Sequence, residues 1–162
     1  MLIKLFSRFT ITTVLIGSVA WGRIGVAVAG EPAVSTPPVE VLQANFDHAS
    51  HVLEIEVEEV REVESIRSDS EEIGYIQYSV TGTVLDVLKS SEGMEIGSGG
   101  VEYRFTQEYD PGGAAVVSTG SRYLVFLKLV EDPPRFWVVG NGAQFELTPA
   151  LSKTVQEISK GK

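Results

Sequence analysis

Two stretches decide the reading of this chain: TVLDVLKSSEG, Thr83–Gly93, and GSRYLVFLKL, Gly120–Leu129. The first is a strand that runs into a lysine and a turn. The second is led by Gly120 and is apolar on both faces from Tyr123 to Leu129, except at Lys128. Successive residues of a strand point to opposite faces, so a run that is apolar at every position belongs to a strand covered on both sides. In a chain of 162 residues, the length of one domain, this predicts a small closed β-barrel.

Working outward from these strands, the rest of the barrel reads as follows. Leu42, Phe46 and Ala49 form one stripe at helical spacing, a short helix before the first strand. From His51 to Val57 the pattern alternates: Leu53, Ile55 and Val57 face one way, and Glu54, Glu56 and Glu58 the other. The phase slips at Glu58-Glu59, where a β-bulge is expected. Arg61–Gly74 is polar and of mixed charge, and reads as a solvated loop or a frayed hairpin end. Ile76, Tyr78, Val80, Gly82 and Val84 then share one face, with Gly82 marking a bend and Leu85 and Val87 shifted to the other face. Ser90–Gly100 is a turn. Val101, Tyr103 and Phe105 alternate with Glu102, Arg104 and Thr106 in a third strand. Asp110-Pro111-Gly112-Gly113 is a turn, and Asp132-Pro133-Pro134 breaks the doubly covered strand. Phe136–Val139 resumes as a fifth strand, and Gly140-Asn141-Gly142 turns before Ala143–Leu147. Thr148-Pro149 opens a last helix, whose stripe of Leu151, Val155 and Ile158 is expected to pack on the barrel.

The expected fold is mainly β: a five-stranded Greek-key barrel of the oligonucleotide/oligosaccharide-binding (OB) type, with a short N-terminal helix and a C-terminal helix packed on it. The run FDHASHVLEIEVEEV (Phe46–Val60), then YSVTGTVLDVLK, GSRYLVFLKL and GNGAQFEL, resembles the netrin-type domain. That is the OB-like module of the tissue inhibitors of metalloproteinases and of many bacterial secreted proteins. The resemblance spans roughly Val39 to Ile158. It implies an interaction module, and by analogy a regulator or inhibitor of a secreted hydrolase as the alternative. In the inhibitors an N-terminal cysteine chelates the protease zinc; this chain has no cysteine, so no residue inherits that role.

The N-terminus reads as an export signal. Lys4 and Arg8 form a basic start, Phe9–Gly22 is mostly apolar, and Ala27-Val28-Ala29 offers small residues for cleavage. Ser18-Val19-Ala20 is a second candidate cleavage site, and a retained anchor or a buried helix are the other readings of this run. The expected organisation is a signal peptide over 1–29, a proline-bearing linker over 30–38 and the barrel over 39–160. Removing Lys4, Arg8 and Arg23 lowers the 13 basic residues to 10 against 22 acids, and the net charge from −9 to −12. Such a surface repels a phosphate backbone, so nucleic acid is not an expected partner. A cysteine-free exported chain suits a bacterial secreted or periplasmic location. After signal removal no stable membrane insertion is expected.

Candidate chemistry is sparse. His48 and His51, beside Asp47, would lie three apart on one helix face and could share a metal, but no third strong ligand is visible, and a surface helix–strand junction is the expected reading. Glu54, Glu56 and Glu58 have like surroundings, which do not split pKa values as paired catalytic carboxylates require. Ser68-Asp69-Ser70-Glu71-Glu72 lacks the glycine-centred oxygen pattern of a calcium loop. Ser118 and Ser121 lack a G-x-S-x-G setting, and Gly97-Ser98-Gly99-Gly100 precedes a strand rather than a phosphate-binding helix N-terminus. Tyr75, Tyr78, Tyr103, Tyr109, Phe136 and Trp137 fall on or beside strands, where they either fill the barrel or offer a stacking face. No catalytic, cofactor-binding or metal residue is assigned. The expected function is an exported, non-catalytic binding module whose partner is a protein or a cell-envelope component.

Overall fold

The computed structural model describes residues 36–67, 74–91, 96, 99–109, 113–131, 133–140 and 143–161. All belong to one unit, Val34–Lys162. The expected signal segment and most of the linker lie outside the described residues, as do Asp69, Glu71 and Glu72.

The elements follow in the order α1 (Val39–His48), β1 (His51–Arg67), β2 (Gly74–Ser90), β3 (Gly100–Glu108), β4 (Arg122–Glu131), β5 (Pro134–Val138), β6 (Gln144–Glu146) and α2 (Pro149–Lys160). Strands pair in the order β1-β2-β3-β5-β4, and β4 returns to β1, which closes a five-stranded barrel. All pairs are antiparallel except β3–β5. The barrel is therefore mixed and OB-like, with one helix before it and one after it. The short β6 continues along β4 beyond β5, pairing Tyr123–Val125 with Gln144–Glu146.

Two cores share the wall between them. Inside the barrel, Leu53, Ile55 and Val57 of β1 meet Val80, Tyr103, Phe105, Tyr123, Val125 and Leu127. Outside it, Val52, Leu124 and Phe126 pack against Leu42 and Phe46 of α1 and Leu151 and Val155 of α2. β4 thus contributes alternate residues to each core, which is why its sequence is apolar at every position from Tyr123 to Leu127. Local devices fix the helices to the wall. The Thr148 hydroxyl accepts from the Leu151 N–H at 3.2 Å and caps α2. Ser152 Oγ donates to Glu54 Oε1 at 2.6 Å. At the other helix, Lys89 Nζ donates to the Phe46 carbonyl at 2.6 Å and satisfies an end of α1.

The expected bulge is present: the β1–β2 register jumps between Val57 and Glu59. Gly82 pairs with Val57 beside it, and a Cβ there would stand 2.6 Å from the Glu56 carbonyl oxygen. Only glycine permits so close a crossing. Gly120 leads β4 out of a turn with φ +81°, a left-handed conformation that suits glycine.

Of the two readings of Arg61–Gly74, the loop is corrected and the hairpin end fits the described residues: β1 stays paired with β2 out to Arg67 and Gly74. The outer residues of this arm, Glu58, Glu59, Arg61, Glu62 and Glu64, are exposed and show no apolar period. Their strand character comes from the partner, where Ile76 and Tyr78 are buried. Charges along such an edge discourage pairing with another chain.

Candidate functional site

β3 and β5 meet over two residue pairs only, Tyr103–Phe136 and Arg104–Trp137. Pro134 opens β5 and has no N–H to donate to a neighbouring strand. Where the two strands diverge, a cavity of about 300 Å³ opens, lined by Glu102, Tyr103, Arg104, Leu129, Pro134, Arg135 and Phe136. Phe136 and Tyr103 are core residues, so alternation places Arg135, Trp137, Glu102 and Arg104 on the outer face. The β4–β5 register sets Lys128 against Trp137. Arg104, Trp137 and Lys128 therefore form one row across three strands, with Arg135 one step away.

The polar groups of this face are partly pre-positioned. Arg104 donates from one terminal nitrogen to Gln77 Oε1 at 3.1 Å. Glu102 accepts at 2.7 Å from the hydroxyl of Ser79, which is buried. Among the described residues Lys128 and Arg135 make no ion pair; the pairs found there are Arg122–Glu56 and Lys153–Glu157. Beneath the cavity, the Tyr103 hydroxyl donates to Gln144 Oε1 at 3.2 Å, and burial, then the neighbouring Tyr123, pushes its pKa well above the tyrosine range. It is a structural hydroxyl and no acid–base group at neutral pH. Tyr78, whose ring stacks on Phe105 at 5.1 Å, is also raised, by burial first and by the charge of Glu62 second.

The residues singled out from sequence do not converge. His48 lies exposed at the end of α1 with Nδ1 2.7 Å from the Ala44 carbonyl. His51 is not at a surface junction, as expected, but 1% exposed. It sits edge-on to Phe136 at 4.9 Å, and its Nδ1 is 3.0 Å from Ser50 Oγ. That hydroxyl also donates to the Leu127 carbonyl at 3.1 Å and accepts the Leu129 N–H at 3.1 Å, which ties the start of β1 to β4. His51 turns inward because β1 begins with it, paired with both Ser90 and Leu127. No group of three or more His, Cys, Asp or Glu that could hold a metal occurs among the described residues.

Glu54, Glu56 and Glu58 each have a separate partner: Ser152, Arg122 and Thr83. The Ser118 N–H donates to the Tyr123 hydroxyl, and Ser121 belongs to the turn that joins Gly120 to β1. Among the aromatics, Tyr78, Tyr103 and Phe136 fill the barrel, whereas Tyr75 is half exposed and Trp137 partly so. No described helix is long and apolar enough to cross a membrane.

Sequence reasoning finds Trp137 as an aromatic on a strand but misses Arg104, Lys128 and Arg135. Alternation alone places each of them outward. Their adjacency depends on the parallel β3–β5 register, which no local pattern encodes. A scan against protein-family models and a search of curated proteins return no match for the chain.

Proposed function

We propose that this chain is an exported, non-catalytic binding module of the netrin type, whose partner is a protein or a cell-envelope component. One observation carries the reading. In a chain of net charge −9, the outer face of β3-β5-β4 gathers Arg104, Lys128, Arg135 and Trp137, and Arg104 and Arg135, with Glu102, line a cavity there. Lys128 and Arg135 are spent on no ion pair among the described residues. Charges without a structural use, beside an aromatic and a concave surface, are the composition of a contact site. Export rests on Lys4, Arg8, the apolar run and Ala27-Val28-Ala29. The netrin-type resemblance is supported by the barrel closure and by a helix at each end.

The test is capture from the envelope fraction of the native host with the full chain as bait. Wild type should retain a partner that Lys128→Glu/Arg135→Glu releases, with both baits equally folded by circular dichroism. Equal retention by the two baits would show that this wall is not the contact surface. A hydrolase in the eluate whose activity falls would replace the binding reading with the regulatory one.

A further inference from the structure

The register that builds the cavity also says what it can hold. One step before the matched pair Tyr103–Phe136, Glu102 of β3 and Arg135 of β5 both line the cavity, yet the two make no ion pair. A guanidinium and a carboxylate that line one cavity without pairing leave room for a ligand that satisfies both. Arg135 is exposed and Arg104, one of whose terminal nitrogens donates to Gln77 on β2, lines the same opening with further donors to spare. Paired guanidinium groups favour a planar carboxylate, which they bind through charge-assisted hydrogen bonds.

Glu102 narrows the choice. Its Oε1 accepts from Ser79, and Oε2 is left as an acceptor for a donor on the ligand, such as a hydroxyl. A bare hydrocarbon ring would desolvate this carboxylate without return, and a phosphate dianion would be repelled by it more strongly than a carboxylate monoanion. Leu129, Pro134 and Phe136 supply an apolar lining, and Trp137 adds a flat aromatic surface next to Arg104. At about 300 Å³ the cavity is at the small end of ligand sites, the scale of one or two rings. The overall charge of −9 disfavours long polyanions and favours short ligands with few charges.

We infer that the cavity between β3 and β5 binds a uronate, a hydroxylated six-membered ring carrying a carboxylate, as the terminal unit of an acidic saccharide. The carboxylate lies between Arg104 and Arg135, a ring hydroxyl donates to Glu102, and the ring lies over the apolar lining toward Trp137. This rests on the binding-module reading and names its ligand class.

The probe is digalacturonate, titrated into the full chain carrying Trp21→Phe, so that Trp137 is the one remaining tryptophan. Saturable change in its fluorescence is expected, matched by isothermal titration. Arg135→Gln and Arg104→Gln should each raise Kd about tenfold or more, the scale of a lost charge-assisted hydrogen bond. Glu102→Gln, which keeps an acceptor, should retain binding better than Glu102→Ala. Lys153→Gln, on α2, should leave Kd unchanged. The neutral digalactose should bind at least about tenfold more weakly than digalacturonate. Absence of saturable binding, binding indifferent to both arginines, or stronger binding of galactose 6-phosphate would each overturn the inference. If digalacturonate fails while envelope capture remains sensitive to the Lys128/Arg135 reversal, the uronate falls and the binding module stands. If capture is insensitive as well, both fall.

Discussion

The outer surface of this barrel has two walls built from the same strand. Along β4 the outward residues are Leu124 and Phe126, then Lys128 and Val130. The first pair is fully buried under α1 and α2, and the second pair is exposed where no helix reaches. The inward residues of the two halves hardly differ: Tyr123, Val125, Leu127 and Leu129 all belong to or pack on the barrel core. One wall is thus sealed for stability and the other left open, and the switch from Phe126 to Lys128 marks the boundary. It teaches that on a closed barrel the outer residues, and not the inner ones, divide the covered wall from the open one.

The largest expected effect lies on the sealed wall. Phe126→Ala should cost about 3–5 kcal/mol in chemical denaturation, because the ring fills the space between β4 and the helices. Ile55→Ala, inside the barrel, should cost about 2–5 kcal/mol, against less than about 0.5 for Glu56→Ala on the opposite face of the same strand. Equal costs for Ile55 and Glu56 would mean the facing of β1 is wrong. Gly82→Ala should cost about 1–3 kcal/mol, since its Cβ would meet the Glu56 carbonyl oxygen at 2.6 Å and the β1–β2 crossing would have to open.

The difference in legibility follows the same division. The sealed wall and the barrel interior are readable because burial imposes a period. Leu53-Ile55-Val57, Val101-Tyr103-Phe105 and the stripe Leu151-Val155-Ile158 each mark one apolar face, and Thr148-Pro149 is a capping signal with its own chemistry. The arm beyond Glu58 carries no such period, so sequence hides its pairing out to Arg67. His51 stands two positions before Leu53, so the period of two, carried back to the first residue of the strand, already turns it inward, as its pairing with Ser90 and Leu127 does. The open wall is the least legible part. Arg104 and Trp137 are 33 positions apart along the chain, and what joins them is a two-residue parallel contact.

The buried hydroxyl of Tyr103 gives a pH-dependent comparison between interior and surface. Its folded-state pKa is raised by burial, whereas the unfolded chain titrates near 10. The folded form therefore holds its proton where the unfolded form has lost one. Stability is complete below about pH 10 and falls above it, by about 1.4 kcal/mol per pH unit for one such group. Tyr103→Phe should lower stability at neutral pH, through the lost bond to Gln144, and flatten the alkaline slope. An unchanged slope would place the alkaline titration elsewhere.

The smallest expected effect sharpens the comparison most. Lys128→Ala removes an exposed side chain with no ion pair among the described residues, two positions from Phe126 on the same face of the same strand. Surface changes of this kind stay within about 0.5 kcal/mol. Its stability should therefore match wild type within that margin, while Phe126→Ala unfolds at far lower denaturant. Envelope capture should follow the opposite order, weakened by Lys128→Ala and retained by any folded Leu124→Met, a near-isosteric change under the helices. A destabilising Lys128→Ala would show that its methylene stem seals the barrel over Trp137, and the boundary between the two walls would then move outward along β4.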